Sequence, residues 1–247
     1  MAVLAAGGGR AFARALHRLL PREDVVLLSD DAYAPYARRP PPVVVDRVGR
    51  LGTELVAGHR AKLVVLASAA ACDDALAALR SRLPATPVVG IEASATRAAA
   101  LSRGGLAAVV VGEGCVRGRH HARRLRGQWV GSGGLAAVTW PGLRELVDGG
   151  RAGDFDPAPR LAELAAASVD SLALACAHAS AVAEPVTALA ASHGIAVVDC
   201  SRVAALRVRA TLLHHRALAR RRRPGRLIEV SSDPARAVAG SPPFGGW

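Results

Sequence analysis

Short apolar runs of strand length recur along the whole chain, each followed by a longer stretch with helical periodicity. Residues 2–6, 25–28, 63–67 and 88–91 form a first series, and residues 107–111, 171–175, 196–199 and 227–230 continue it. Such alternation predicts βαβ units, and therefore parallel sheets flanked by helices. The available filling agrees with this. Hydrophobic residues make up 51% of the 247, but aromatics only 3%, so the core has to be built from Ala, Val and Leu, which suits helices packed closely on parallel strands.

The series also repeats itself. LVVLAS from Leu63 leads through a helical stretch to PVVGIEAS from Pro87, and LALACA from Leu172 leads through another to AVVDCS from Ala196. Matching Val88 to Val197 gives an offset of 109 (197 − 88), and the same offset carries Ala67 onto Cys176. Each repeat opens with a strand running into a glycine turn, at Gly7, Gly8 and Gly9 in the first and at Gly112 and Gly114 in the second. The expected architecture is α/β with two pseudosymmetric lobes, residues 1–92 with 207–247 and residues 93–206. Ligands of open parallel sheets sit beyond the carboxyl ends of the strands, so the lobes are expected to share a cleft with Ala67 and Cys176 on opposite sides. The glycine turns do not read as phosphate loops: the first lacks the Lys-Ser/Thr of a P-loop and the second lacks the third glycine of a dinucleotide fingerprint.

The net charge is +12, carried almost wholly by arginine, with Lys62 the only lysine. A basic surface attracts nucleic acid, yet few aromatics are present for base stacking, and nucleic acid is not an expected partner. The clusters Arg220 to Arg223, at the end of a helical pattern starting near Arg202, and Arg117, Arg119, Arg123, Arg124 and Arg126 are read as solvated helix faces. The pairs His120-His121 and His214-His215 are read as solvated too, because adjacent helix residues do not share a face, and no metal site is expected. Cysteines stand only at 72, 115, 176 and 200, without the spacing of a zinc ribbon or a disulfide framework. No apolar run reaches membrane-spanning length, and a cytoplasmic protein without membrane attachment is expected.

Five motifs together resemble the glutamate racemase family: Leu20-Pro21-Arg22-Glu23-Asp24-Val25-Val26, Pro35-Tyr36, Pro87-Val88-Val89-Gly90, Cys176-Ala177-His178 and Ser232-Asp233-Pro234. The resemblance implies a cofactor-free amino-acid isomerase that supplies D-glutamate for peptidoglycan, with a small-molecule substrate, an amino acid or small carboxylic acid, and it leaves room for a homodimer. In that family one thiolate removes the Cα proton while a thiol on the opposite face returns one, since inversion needs two acid/base groups. Carried over residue by residue, the second-lobe thiol is Cys176, with His178 beside it. The first-lobe Ala-Cys-Asn-Thr motif is placed on Leu66-Ala67-Ser68-Ala69, which puts a methyl group, Ala67, in place of the thiol. The family's Asp-Ser of the first strand turn falls on Ala5-Ala6, and its CTH threonine on Ala177. Ser68, Pro35, Tyr36, Gly112 and Gly114 remain as candidate substrate contacts. Cys72, five residues past Ala67, is read as a small buried hydrophobe.

The expectation is therefore a glutamate-racemase-like protein with impaired catalysis. The alternatives are a single-thiol lyase or isomerase resembling arylmalonate decarboxylases, which protonate a carbanion through one cysteine, here Cys176; a working racemase; and a non-enzymatic binding or regulatory paralogue.

Overall fold

The structure is a computed structural model, covering residues 1–6, 9–91, 95–112 and 134–236. Gly7, Gly8, Gly114, Cys115, His120, His121 and the arginines from Arg117 to Arg126 lie outside the described residues. The chain forms two compact units, Met1–Ile91 with Ala204–Trp247, and Glu92–Val203.

In the first unit the strands β1 (Ala2–Ala5), β2 (Val25–Ser29), β3 (Val64–Leu66) and β4 (Val88–Gly90) join β9 (Leu227–Ser231) in a parallel sheet of order β4-β3-β1-β2-β9. The central strand β1 is buried at every residue and carries no polar side chain, as a strand covered on both faces requires. Helix α1 (Gly9–Leu19) turns Phe12, Ala13 and Leu16 inward, while Arg10, Arg14 and Arg18 fall elsewhere on its circumference. It starts so close to β1 that a Cβ on Gly9 would overlap the Ala5 side chain, which is why glycine stands there. Helices α2 (Pro41–His59) and α3 (Ala69–Arg82) pack on each other.

The second unit holds α4 (Ala95–Leu101), β5 (Leu106–Val110), β6 (Leu135–Val138), β7 (Val169–Leu174) and β8 (Ala196–Asp199), with strand order β6-β5-β7-β8. Read from the other edge this is β8-β7-β5-β6, the same winding as β4-β3-β1-β2, so the sequence echo is a topological repeat. Its helices include α5 (Leu143–Asp148), α6 (Ala158–Ala166), α7 (Ala177–Ala181), α8 (Ala183–Ala190) and the beginning of α9 (Cys200–His214). The core joins Trp140, Leu143, Leu161, Leu164, Leu172 and Leu174.

The strand β6 is not among the sequence-derived candidates. Its Leu-Ala-Ala-Val segment sits at the sheet edge with no buried residue, and a four-residue apolar run of this kind does not by itself mark a strand. Helix α9 also departs from expectation. It ends at His214, not at the arginine run, because Arg216 adopts a left-handed conformation at φ 50° and Ala217 N–H turns back to the Leu212 carbonyl at 2.8 Å.

Beyond β2, Asp30 is fully buried and acts as a hub. It accepts hydrogen bonds from the Tyr36 hydroxyl at 2.6 Å, from Arg47 at 2.7 and 3.1 Å, and from the Ser232 hydroxyl at 2.7 Å. Burial alone would raise its pKa, but these donors outweigh burial and hold it below the usual carboxylate value. One carboxylate thus ties the end of β2 to the following loop, to α2 and to the turn after β9. Asp30→Ala would strand Arg47 without its partner, at a cost of about 3–5 kcal/mol; denaturant unfolding monitored by circular dichroism checks this, and a loss below about 1 kcal/mol would contradict the hub.

Candidate active site

In both units the chain leaves the third strand of the repeat and enters a helix through a capping side chain. In the first unit Ala67 N–H bonds the Leu4 carbonyl at 2.7 Å, and Ser68 then caps α3, its hydroxyl oxygen accepting from Ala71 N–H at 3.4 Å. In the second, Ala175 N–H bonds the Val110 carbonyl at 3.0 Å, and Cys176 then caps α7, its sulfur accepting from Ala179 N–H at 3.3 Å. The two turns are built alike, and the counterpart of Cys176 is Ser68.

This differs from the sequence offset of 109, which pairs Cys176 with Ala67. The ladders align Leu4 with Leu66 and Val110 with Leu174, an offset of 108 (174 − 66) between the third strands. They also align Val64 with Val88 and Leu172 with Val197, so the offset has grown to 109 by the fourth strands. One extra residue lies between β7 and β8, and an offset anchored at Val88 carries that residue back into the wrong register. Ala67 itself is buried, at 2% exposure, and its counterpart is Ala175, also buried. Within the repeat, Ser68 is therefore the position equivalent to Cys176.

Around Cys176 the second unit supplies ionisable groups. His178 lies two residues on, with its side chain 14% exposed, and its Nε2 is 3.1 Å from Asp148 Oδ1 at the end of α5. Burial alone would lower the His178 pKa, yet hydrogen bonds to Asp148 and Cys176 and their charges more than offset burial and push it up to about 9. Burial would likewise raise Asp148, and the contacts with His178 and Arg144 instead bring it below its usual value. The result is an imidazole held by a carboxylate, two residues from a thiol that helps to raise its pKa.

Asp148 is not among the sequence-derived candidates. One signal could have found it: a carboxylate in the last turn of a helix, just before Gly149-Gly150, opposes the helix dipole and calls for a cationic partner.

The first unit offers little comparable chemistry. Ala5 is buried and Ala6 half-buried at the end of β1, with Ser68 following β3, one strand away. Tyr36, expected as a substrate contact, is 2% exposed with its hydroxyl committed to Asp30, so it braces the loop instead. Pro35, on a cis peptide, precedes it half-buried. Gly112 follows β5 half-buried, and Gly114 lies outside the described residues. Cys72 is 7% exposed and its thiol donates to the Leu66 carbonyl at 3.2 Å, consistent with a packed cysteine.

Comparison with known proteins points in one direction. The chain is 30% identical over 199 residues to a glutamate racemase of Pseudomonas aeruginosa, covering 78% of this chain and 73% of that protein. It is 29% identical over 216 residues to a glutamate racemase of Pseudomonas putida, covering 86% and 80%. Among solved structures, glutamate racemase from Thermus thermophilus in complex with β-chloro-D-alanine superposes with a TM-score of 0.71 at 24% identity, covering 95% of this chain and 88% of that one. No family model matches the chain.

The His178–Asp148 pair has a pH signature. A raised histidine pKa contributes stability that is fully present below the unfolded value near 6.5 and is lost as pH rises through about 9. Asp148→Asn removes that contribution, so the melting temperatures of wild type and variant should converge between pH 6.5 and 9. The corresponding stability difference at pH 6 is expected to be roughly 1–2 kcal/mol, less than the full shift implies because Asp148 is 43% exposed. Thermal melts across this range check it; a gap independent of pH would contradict the pairing.

Proposed function

The chain belongs to the glutamate racemase family, and from that premise we propose that it is a racemase-like protein equipped for proton transfer on one side only. The observation that carries the reading is the pairing of equivalent caps, a thiol at Cys176 and a hydroxyl at Ser68. Cys176 moves the proton at Cα. His178, held by Asp148, stabilises the thiolate and orients it, and the substrate is glutamate or a closely related small carboxylic acid.

Racemisation needs a second acid/base group that can lose and accept a proton near neutral pH. A thiol has a usable thiolate fraction there, whereas a serine hydroxyl without a base beside it is a weak participant. The flanking residues reinforce this. Ala5, Ala6, Ala67, Ala69 and Ala70 surround Ser68 in sequence and on the adjacent strand end, and none of them can activate its hydroxyl. Loss of one general acid/base typically costs about 10²–10⁴-fold in rate, so two-base interconversion of glutamate is impaired.

A second reading keeps the same residue at work in a different reaction. A carbanion formed by loss of carbon dioxide needs only one proton donor, and the single thiol at a cap position favours such chemistry through Cys176.

Both readings are tested by incubating the protein with L-glutamate, D-glutamate and a substituted malonate in deuterated water. Expected is slow deuterium entry at Cα from one glutamate enantiomer, or decarboxylation of the malonate, either being abolished by Cys176→Ala. Rapid interconversion of both glutamate enantiomers would overturn the one-sided assignment, and activity unaffected by Cys176→Ala would overturn the role of the thiol.

A further inference from the structure

The amino end of the first sheet, opposite the strand ends that carry Ser68, is assembled from three chain segments. Gly225 N–H bonds the Pro21 carbonyl at 2.7 Å and Val25 N–H bonds the Arg226 carbonyl at 2.8 Å. Arg221 Nε donates to the Arg22 carbonyl at 2.6 Å, and the Met1 amino group donates to the Asp24 carbonyl at 2.8 Å. The approach at Gly225 is so close that any Cβ there would collide with the Glu23 carbonyl. These bonds fix residues 216–226 against the start of β2.

The two acidic residues of this surface are already neutralised. Glu23, 3% exposed, pairs with Lys62 at 2.8 Å and accepts from Ala219 N–H at 2.6 Å. Asp24 pairs with Arg221 at 2.7 Å and accepts from Arg226 N–H at 2.7 Å. Arg22, Arg216, Arg220, Arg222, Arg223 and Arg226 are exposed, and among the described residues none of their side chains has an ion-pair partner. The arginine run is thus not spread around a helix, where its charges would diverge, but pinned along one edge with its counter-charges used up.

We propose that this edge binds the phosphate backbone of nucleic acid, without reading sequence. Guanidinium groups bind phosphate oxygens in bidentate fashion, and the density of phosphate charge on a duplex matches a row of unpaired cations. The segment Arg220-Arg221-Arg222-Arg223-Pro224-Gly225-Arg226 contains no large apolar side chain such as Leu, Phe or Trp to insert into a bilayer, so it lacks what an interfacial membrane anchor needs. It also contains no aromatic to stack on bases, which confines recognition to the backbone.

The test measures fluorescence anisotropy of a labelled 20-base-pair duplex against salt concentration, with phosphatidylserine vesicles as a parallel arm. Expected is binding at 25 mM salt that falls steeply with salt and is independent of sequence. Arg220→Ser/Arg222→Ser/Arg223→Ser should reduce the slope of log K against log salt by about 2–3, since each phosphate that an arginine neutralises adds about 0.9 to that slope. Removing the same number of charges at Arg144, Arg151 and Arg160, which sit beside acidic partners, should leave the slope nearly unchanged. Arg222→Ser/Arg223→Ser carries the same test if the triple variant does not fold. No binding at 25 mM salt, equal slopes for both sets of variants, or retention on vesicles but not on DNA would overturn the proposal. None of these outcomes depends on the chemistry of Cys176.

Discussion

A parallel strand that hands the chain to a helix leaves the first helical N–H groups without partners, and a capping side chain has to accept one of them. That constraint fixes which residue stands at the carboxyl end of the third strand in each repeat. It holds the Cys176 sulfur beside Ala179 N–H in the second unit and the Ser68 hydroxyl beside Ala71 N–H in the first. Serine and cysteine fill the same cap, so the local fold of the turn does not depend on which of them stands there.

The surroundings of the two caps differ in charge. At Cys176 the turn is followed by His178, and α5 presents Asp148 to it, so a histidine–carboxylate pair stands two residues from the thiol. At Ser68 the neighbours in sequence are alanines, and the carboxylate beyond the end of β2, Asp30, is saturated by Tyr36, Arg47 and Ser232. Asp30 stabilises the first unit without being available for chemistry.

Much of this was legible in the sequence. Eight of the nine strands among the described residues announce themselves as short, largely apolar runs, fully buried in the central strands β1 and β3 and half-buried at the edge in β8. The edge strand β6 did not: its Leu-Ala-Ala-Val run is apolar but only four residues long, and apolar runs that short do not separate strand from helix. The repeat was visible, but its register was not. A single residue added between β7 and β8 cannot be located from Val88 and Val197, and only the ladder hydrogen bonds separate Ala67 from Ser68. The end of α9 was missed because Arg216 takes a left-handed conformation usually left to glycine or asparagine. The partnership of Asp148 with His178 spans 30 residues and depends on tertiary packing.

The claim on which the account turns is that Ser68, and not Ala67, stands where a second thiol would act. Restoring sulfur at each position separately tests it most directly, by following the optical rotation of L-glutamate with Ser68→Cys and with Ala67→Cys. The account predicts that Ser68→Cys gains racemase activity of at least about 10²-fold over the starting protein, while Ala67→Cys, placing sulfur in a buried strand end, gains none. Gain in Ala67→Cys with none in Ser68→Cys would contradict it.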